Sequence, residues 1–251
     1  MSKEKGQGEK MLSYELPWPK ELSQGMVPGL IWTGMSFMMF MVNWTYGMFS
    51  VAAMFIFFQT QRNTPVGRGR RYYVRGRLAY KQQNIEEALT FFYESVKVMP
   101  EAAAIYPVIG DLHFMQGDIP KAKNAYQQYF QRKAEDYPLR MWYAGKLMEV
   151  SLFTEAATEL KKLPAVQRKN NQVVNLLAVC LLKLNQAKEA LQILESVAKN
   201  EGIDEQQLSA RYLLAKAYQQ QGEKEKALRI LKKLEQDHPG FEDVPQLIHS
   251  L

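Results

Sequence analysis

The hydrophobic pattern of this chain changes character at about residue 62. No charged residue occurs between residues 25 and 61, and residues 26–58 form an almost unbroken apolar stretch. Its 33 residues, counted from 26 to 58, exceed the ~20 that cross a bilayer as one helix and fall short of roughly 40 plus a turn for two full crossings. One transmembrane helix over 26–58 is therefore expected, with a tight hairpin bending at residues 43–47 as its rival. From residue 69 onward the pattern differs. Apolar and polar positions there interleave as in amphipathic helices, broken by short polar turns.

The helical part contains an internal repeat. Alanine recurs at Ala88, Ala122, Ala156 and Ala190, each 34 residues after the last, and again at Ala227 after 37. Twelve residues before each stands a small residue, Gly76, Gly110, Ala144, Ala178 and Ala215. Four residues after each stands a large apolar one, Phe92, Tyr126, Leu160, Leu194 and Leu231. A three-point register of this kind predicts two helices per unit whose backbones approach closely at the small residues, with the bulky residue one turn along the same face. Turns are expected at 82–84, 116–118, 151–153, 184–186 and 221–223, and Pro100 and Pro239 close second helices.

This register resembles the tetratricopeptide repeat over approximately residues 69–241, as 69–102, 103–136, 137–170, 171–204 and 208–241. The third and fourth units depart from the family pattern, with Leu160 and Leu194 for the aromatic and no closing proline. The resemblance implies an all-α fold: a transmembrane helix followed by a right-handed solenoid of about five helix pairs. Residues 242–251 carry Val244, Leu247, Ile248 and Leu251 at helical spacing and are expected to cap the fifth pair. Residues 1–25 form an N-terminal tail, and 59–68 a basic linker between anchor and array. The three extra residues of the last interval are assigned to a loop around 203–207.

Charge sharpens the membrane reading. Composition is that of a folded protein, 47% hydrophobic and 23% charged, with a formal net charge of +6. Seven positive residues and no acidic one lie between Arg62 and Lys81, namely Arg62, Arg68, Arg70, Arg71, Arg75, Arg77 and Lys81. The basic balance thus belongs to one short segment, which argues against a nucleic-acid binder. The first 21 residues balance four lysines against four glutamates. The stretch is too long for the apolar part of a cleaved signal peptide, so it reads as an uncleaved anchor. The excess of Lys and Arg after it places the repeats in the cytoplasm and the N-terminus across the membrane, in a single-pass arrangement expected of a bacterial inner membrane. Arg62, Arg68, Arg70, Arg71 and Arg75 are candidates for contact with anionic lipid headgroups. Asn43 and Thr45, polar within the span, either bond to a partner helix or satisfy the backbone locally at a turn.

In the resembled family the first helix of each repeat lines a concave face that receives peptides. That carries Tyr73, Arg77, Val108, Asp111, Phe114, Met115, Met141, Trp142, Met148, Leu176, Tyr212 and Lys216 into the candidate groove, with Glu149 and Val179 beside them. The set is mostly apolar and suits an amphipathic helix or apolar peptide, with Trp142 as the expected hot spot; for each residue the competing assignment is ordinary packing between repeats. The carboxylate clamp of chaperone-binding members is missing, because its places hold Tyr73, Arg77, Val108, Pro138 and Trp142, and later frames supply it no better.

No catalytic constellation is apparent. His113, His238 and His249 are scattered, Cys180 stands alone in an apolar run, and no glycine-rich phosphate loop occurs. No cofactor or metal is expected. The chain reads as a membrane-anchored scaffold or adaptor that binds proteins, an accessory subunit of a membrane complex such as a bacterial secretion, pilus or exopolysaccharide export system. The alternative is a receptor for incoming polypeptides at a membrane.

Overall fold

Asn43 decides the path of the apolar stretch. In the computed structural model, which describes residues 16, 18–23, 26–198 and 204–251 (backbone alone for 26–28 and 198), two helices replace the expected single span. Helix α1 runs Met26–Val42 and α2 Trp44–Asn63, with Asn43 extended between them at φ −159° and ψ 132°. The Asn43 side chain caps α2 by accepting from the Thr45 amide at 2.9 Å and from Thr45 Oγ1 at 2.7 Å. Asparagine is among the strongest N-capping residues, which is the physical reason for a break at this point in an otherwise helix-compatible run. The local reading of Asn43 and Thr45 is the one observed.

The two helices fold back on each other. The Phe40 ring lies over Gly47, so closely that a β-carbon there would clash with it. Ser36 Oγ and Ser50 Oγ share a hydrogen bond of 2.6 Å, and the Trp32 and Phe57 rings stack with centroids 5.5 Å apart. Partner numbers rise on one helix as they fall on the other, which defines an antiparallel hairpin. The single span over 26–58 is thus corrected to the rival hairpin. Among the described residues no helix is long and apolar enough to cross a membrane.

The basic linker is corrected as well. Residues 59–63 continue α2, and Thr64 alone separates it from α3 (Pro65–Lys81). Thr64 Oγ1 donates to the Gln61 carbonyl at 2.6 Å and accepts from the Gly67 amide at 3.0 Å, ending one helix and starting the next. The first repeat therefore begins four residues before the expected position 69.

Paired helices follow: α4 (Ile85–Val98) with α3, α5 (Ile105–Gln116) with α6 (Ile119–Phe130), and α7 (Tyr137–Glu149) with α8 (Phe153–Lys161). After the short α9 (Ala165–Arg168) come α10 (Asn171–Lys183) with α11 (Ala187–Ala198), α12 (Glu205–Gln220) with α13 (Lys224–Asp237), and α14 (Val244–Ser250). Residues 205–207 are already helical, so the expected loop at 203–207 shrinks, and its position 203 lies outside the described residues. Most of the 1–25 tail lies outside them too. The chain divides into two compact units, 1–135 and 136–251, which differs by one residue from the expected repeat boundary.

Within the units the register is exact in chemistry if not in residue type. Ala88, Ala122, Ala156, Ala190 and Ala227 are all fully buried, and so are Phe92, Tyr126, Leu160, Leu194 and Leu231. A β-carbon on Gly76 would meet the Phe92 ring at 2.7 Å, and one on Gly110 would meet Tyr126 at 2.6 Å. The small residue of one helix thus seats the large residue of the next, as the spacing predicts. Each turn between paired helices holds one residue in the left-handed region: Gln83, Gly117, Ser151, Asn185 and Gly222. Each stands five residues before its alanine, so the backbone repeats even where the residue type does not.

The 242–251 cap forms as α14. Val244 is fully buried against Leu208, Leu231 and Leu234, and Leu247, Ile248 and Leu251 pack around that cluster.

Candidate partner-binding faces

In the 1–135 unit, most of the groove residues expected from the sequence are already engaged. Tyr73 is fully buried and sandwiched: Trp18 meets it edge-on at 5.5 Å and Phe92 at 5.5 Å on the other side. Burial pushes its hydroxyl up to about 12, against a weaker pull downward from Arg77. Arg77 lies over the Trp18 ring at 5.9 Å, within cation–π range. Arg70 Nε donates to the Leu22 carbonyl at 2.8 Å, and Leu22 is fully buried beside Gly69 and Met99 in the core of the first repeat. The chain's own Leu16, Trp18 and Leu22 thus cover the first-repeat face.

In the second repeat Val108 is core. Asp111 accepts from the Tyr126 hydroxyl at 2.5 Å, and Phe114 packs on the Tyr126 ring at 6.1 Å. Met115 is exposed. His113 is buried, with Nε2 2.8 Å from the Tyr93 hydroxyl; burial lowers its pKa, and Asp118 opposes that shift.

The 136–251 unit leaves more of its predicted set accessible. Trp142 is 46% exposed, with the Lys146 ammonium 4.9 Å from its ring centroid. Lys146 also reaches Glu149 at 3.0 Å. Met141, Met148, Leu176 and Val179 are half-buried. At the fifth repeat Tyr212 donates a short hydrogen bond to Asp243, and its ring meets Phe241 at 6.3 Å. Lys216 donates to the Tyr212 hydroxyl at 2.6 Å. Burial first, then Asp243, raises the Tyr212 pKa. Tyr212 and Lys216 are thus both tied to Asp243 at the start of the cap.

Two features escaped the sequence reading. Arg140 and Glu159 form an ion pair of 2.5 Å between α7 and α8, both side chains largely withdrawn from solvent. Asn175 Nδ2 donates to the Gln206 carbonyl at 2.7 Å, tying α10 to α12. The visible signal for the first was a charged residue on an otherwise apolar helix face. Nothing short of the fold marked the second.

The basic residues spread around the base of the hairpin. Arg62, Arg68 and Arg75 are exposed; Arg71 donates to the Arg62 carbonyl, and Arg75 stands 5.8 Å from the Phe91 ring. Among the described residues no group of three or more His, Cys, Asp or Glu side chains is placed to hold a metal ion. His238 caps the end of α13 and His249 bonds to the Pro245 carbonyl at 2.6 Å.

Paired helices with small-on-large seams, left-handed turns at fixed places and a capping helix define a helical-repeat fold of the kind used for protein interaction. Residues 73–138 and 113–180 match models described as tetratricopeptide repeat. Residues 152–234 match a model described as anaphase-promoting complex, cyclosome, subunit 3. No curated protein sequence matches the chain significantly. Among solved structures the chain is similar to YrrB, a TPR protein with an unusual peptide-binding site, at 19% identity and a TM-score of 0.56 over 72% of this chain and 91% of that one. It is also similar to the nearly identical TPR-like repeats assigned to a kinesin light chain of Podosopora anserina, at 18% identity and a TM-score of 0.52 over 68% and 95%.

Proposed function

We propose that this protein is an adaptor that binds protein or peptide partners on its repeats while the α1–α2 hairpin holds it at a membrane. In this reading it is an assembly or accessory subunit of a membrane complex, such as a bacterial secretion, pilus or exopolysaccharide export system, with its repeats in the cytoplasm. The observation that carries it is the coexistence, in one chain, of a partner-binding repeat fold and a hairpin whose outer side chains are apolar. Within the repeats, Trp142, 46% exposed beside Lys146, is the large aromatic accessible to a partner. A half-exposed large aromatic offers area and shape to an amphipathic helix or apolar peptide. That YrrB carries a peptide-binding site is consistent with this use of the fold.

The test is purification of the tagged full chain from native membranes in mild detergent, in parallel with Trp142→Ala. A stoichiometric partner retained by the parent and weakened about 30-fold or more by the variant supports the proposal. The variant's melting temperature should be essentially unchanged, since Trp142 is half exposed. A chain that purifies alone, or a partner indifferent to Trp142→Ala, overturns it. A receptor for incoming polypeptides is the second reading, favoured by the basic base of the hairpin. It predicts transient binding of unfolded precursors in place of a stoichiometric partner.

A further inference from the structure

Resting on the membrane reading above, we infer how the chain meets the bilayer: it enters from one face only and does not cross. Residues 26–58 insert as the α1–α2 hairpin with Asn43, Trp44 and Thr45 at its buried tip. Leu16, Trp18, Leu22, the basic residues and the repeats all remain on the entry side.

Four observations carry this. The first is connectivity. Trp18 and Leu22, which precede the hairpin, pack on Tyr73 and beside Gly69, which follow it. Arg70 holds the Leu22 carbonyl at 2.8 Å. Both ends of the apolar segment are therefore joined in one packed cluster, and a single crossing would have to tear that cluster apart.

The second is the outer surface. Leu30, Phe37, Met38, Met41, Val42, Trp44 and Phe49 are each exposed by 70% or more, in a segment without a charge from residue 25 to residue 61. Water-facing surfaces do not carry contiguous apolar patches of that kind without a partner. An open apolar depression of about 670 Å³ between the helices, lined by Ile31, Trp32, Met35, Met39, Tyr46 and Phe49, adds a slot for acyl chains.

The third is the tip. Its polar atoms are turned on one another: Asn43 accepts from Thr45, the Asn43 amide donates to the Met39 carbonyl at 3.0 Å, and the Gly47 amide donates to the Asn43 carbonyl at 3.1 Å. Hydrocarbon tolerates a helix break only where such groups find internal partners. Helix α1, with 17 residues, is about 26 Å long, short of the roughly 30 Å hydrocarbon thickness.

The fourth is charge. Lys20 at the entry and Arg62, Arg68 and Arg75 at the exit are exposed on the same side of the hairpin. That placement matches the anionic headgroups of the entry leaflet and selects a lipid bilayer over a second copy of this basic chain as the occupant.

The experiment uses the full chain with vesicles of neutral lipid alone and with added phosphatidylglycerol. Flotation tests attachment itself. Single-cysteine variants Lys20→Cys, Lys183→Cys and Trp44→Cys then report topology with a membrane-impermeant maleimide, outside or trapped inside. The native Cys180 is buried, and burial pushes its thiol up to about 11, so it stays silent. Labelling of positions 20 and 183 from the same face, with position 44 reacting only after detergent, supports the inference. Labelling of positions 20 and 183 from opposite faces overturns it, as does labelling of position 44 from the far face. The triple variant Arg62→Gln, Arg68→Gln, Arg75→Gln is expected to lower partitioning into anionic vesicles roughly 100-fold. Equal partitioning of parent and variant overturns the charge contribution. Failure to float, with a soluble dimer that protects position 44, overturns the membrane reading itself and assigns the apolar face to a second copy.

Discussion

The hairpin α1–α2 and the first repeat α3–α4 are closed by the same device and end with opposite surfaces. In one, the Phe40 ring sits on Gly47; in the other, the Phe92 ring sits on Gly76. Both seams bring helices together at a glycine that admits an aromatic ring. In the repeat the seam and neighbouring side chains bury Phe92 and Tyr73 fully, while Val74, Leu78 and Tyr93 stay exposed. In the hairpin the seam takes only part of them, and Phe37, Met38 and Phe49 remain outside. The two pairs therefore differ in how much apolar side chain the far side of each helix leaves exposed, not in the contact between them.

The comparison can be broken first at its rings. Phe92→Ala removes a fully buried aromatic and should cost about 3–5 kcal/mol of unfolding free energy, read from the urea midpoint of the chain in mild detergent. Phe40→Ala should leave that midpoint in place and change only the hairpin, because Phe40 is only part-buried. Equal losses in the two variants would mean that hairpin and repeat share one core.

Next come the polar clasps between helices. Glu159→Ala strands Arg140 in a largely buried setting and should cost about 3 kcal/mol or more. Ser50→Ala, which breaks the 2.6 Å Ser36–Ser50 bond, should cost about 1 kcal/mol. A pair of equal effects would show that the repeat clasp is open to solvent after all.

The smallest effect is at the turns. Ser151 holds a left-handed conformation that glycine adopts without strain, so Ser151→Gly should stabilise by up to about 1 kcal/mol. Asn43 is extended, not left-handed, and Asn43→Gly should instead lose a few tenths of a kcal/mol by removing its cap. Ser151→Gly should raise the thermal melt of the repeats, whereas Asn43→Gly should lower the helicity of the hairpin and leave that melt in place.

Much of the repeat region was legible in the sequence because its constraint is periodic. A small residue, an alanine and a large residue at fixed offsets can be read without knowing what they touch, and all five alanines prove buried. The groove was less legible. First-helix positions of this register point either outward or toward the neighbouring helix, and the spacing alone does not say which; Tyr73 and Tyr212 were read as open and are engaged with Trp18 and Asp243. The hairpin stood only as the rival path for a related reason. Counting apolar residues gives a length but not a path, whereas the path turned on one capping side chain, Asn43, followed two residues later by Thr45. Residues 16–23 gave no periodic signal at all, since a short segment held by Trp18 and Leu22 repeats nothing.

That segment has a consequence for how many units the array contains. Any stack of like modules can go on adding members at an end whose apolar face stays open, and would then polymerise into threads of indefinite length. Leu22 and Trp18 stand where a preceding module would otherwise sit against the first repeat. The ladder is thus terminated from within its own chain, and its length is fixed at that end by a few residues that belong to no rung.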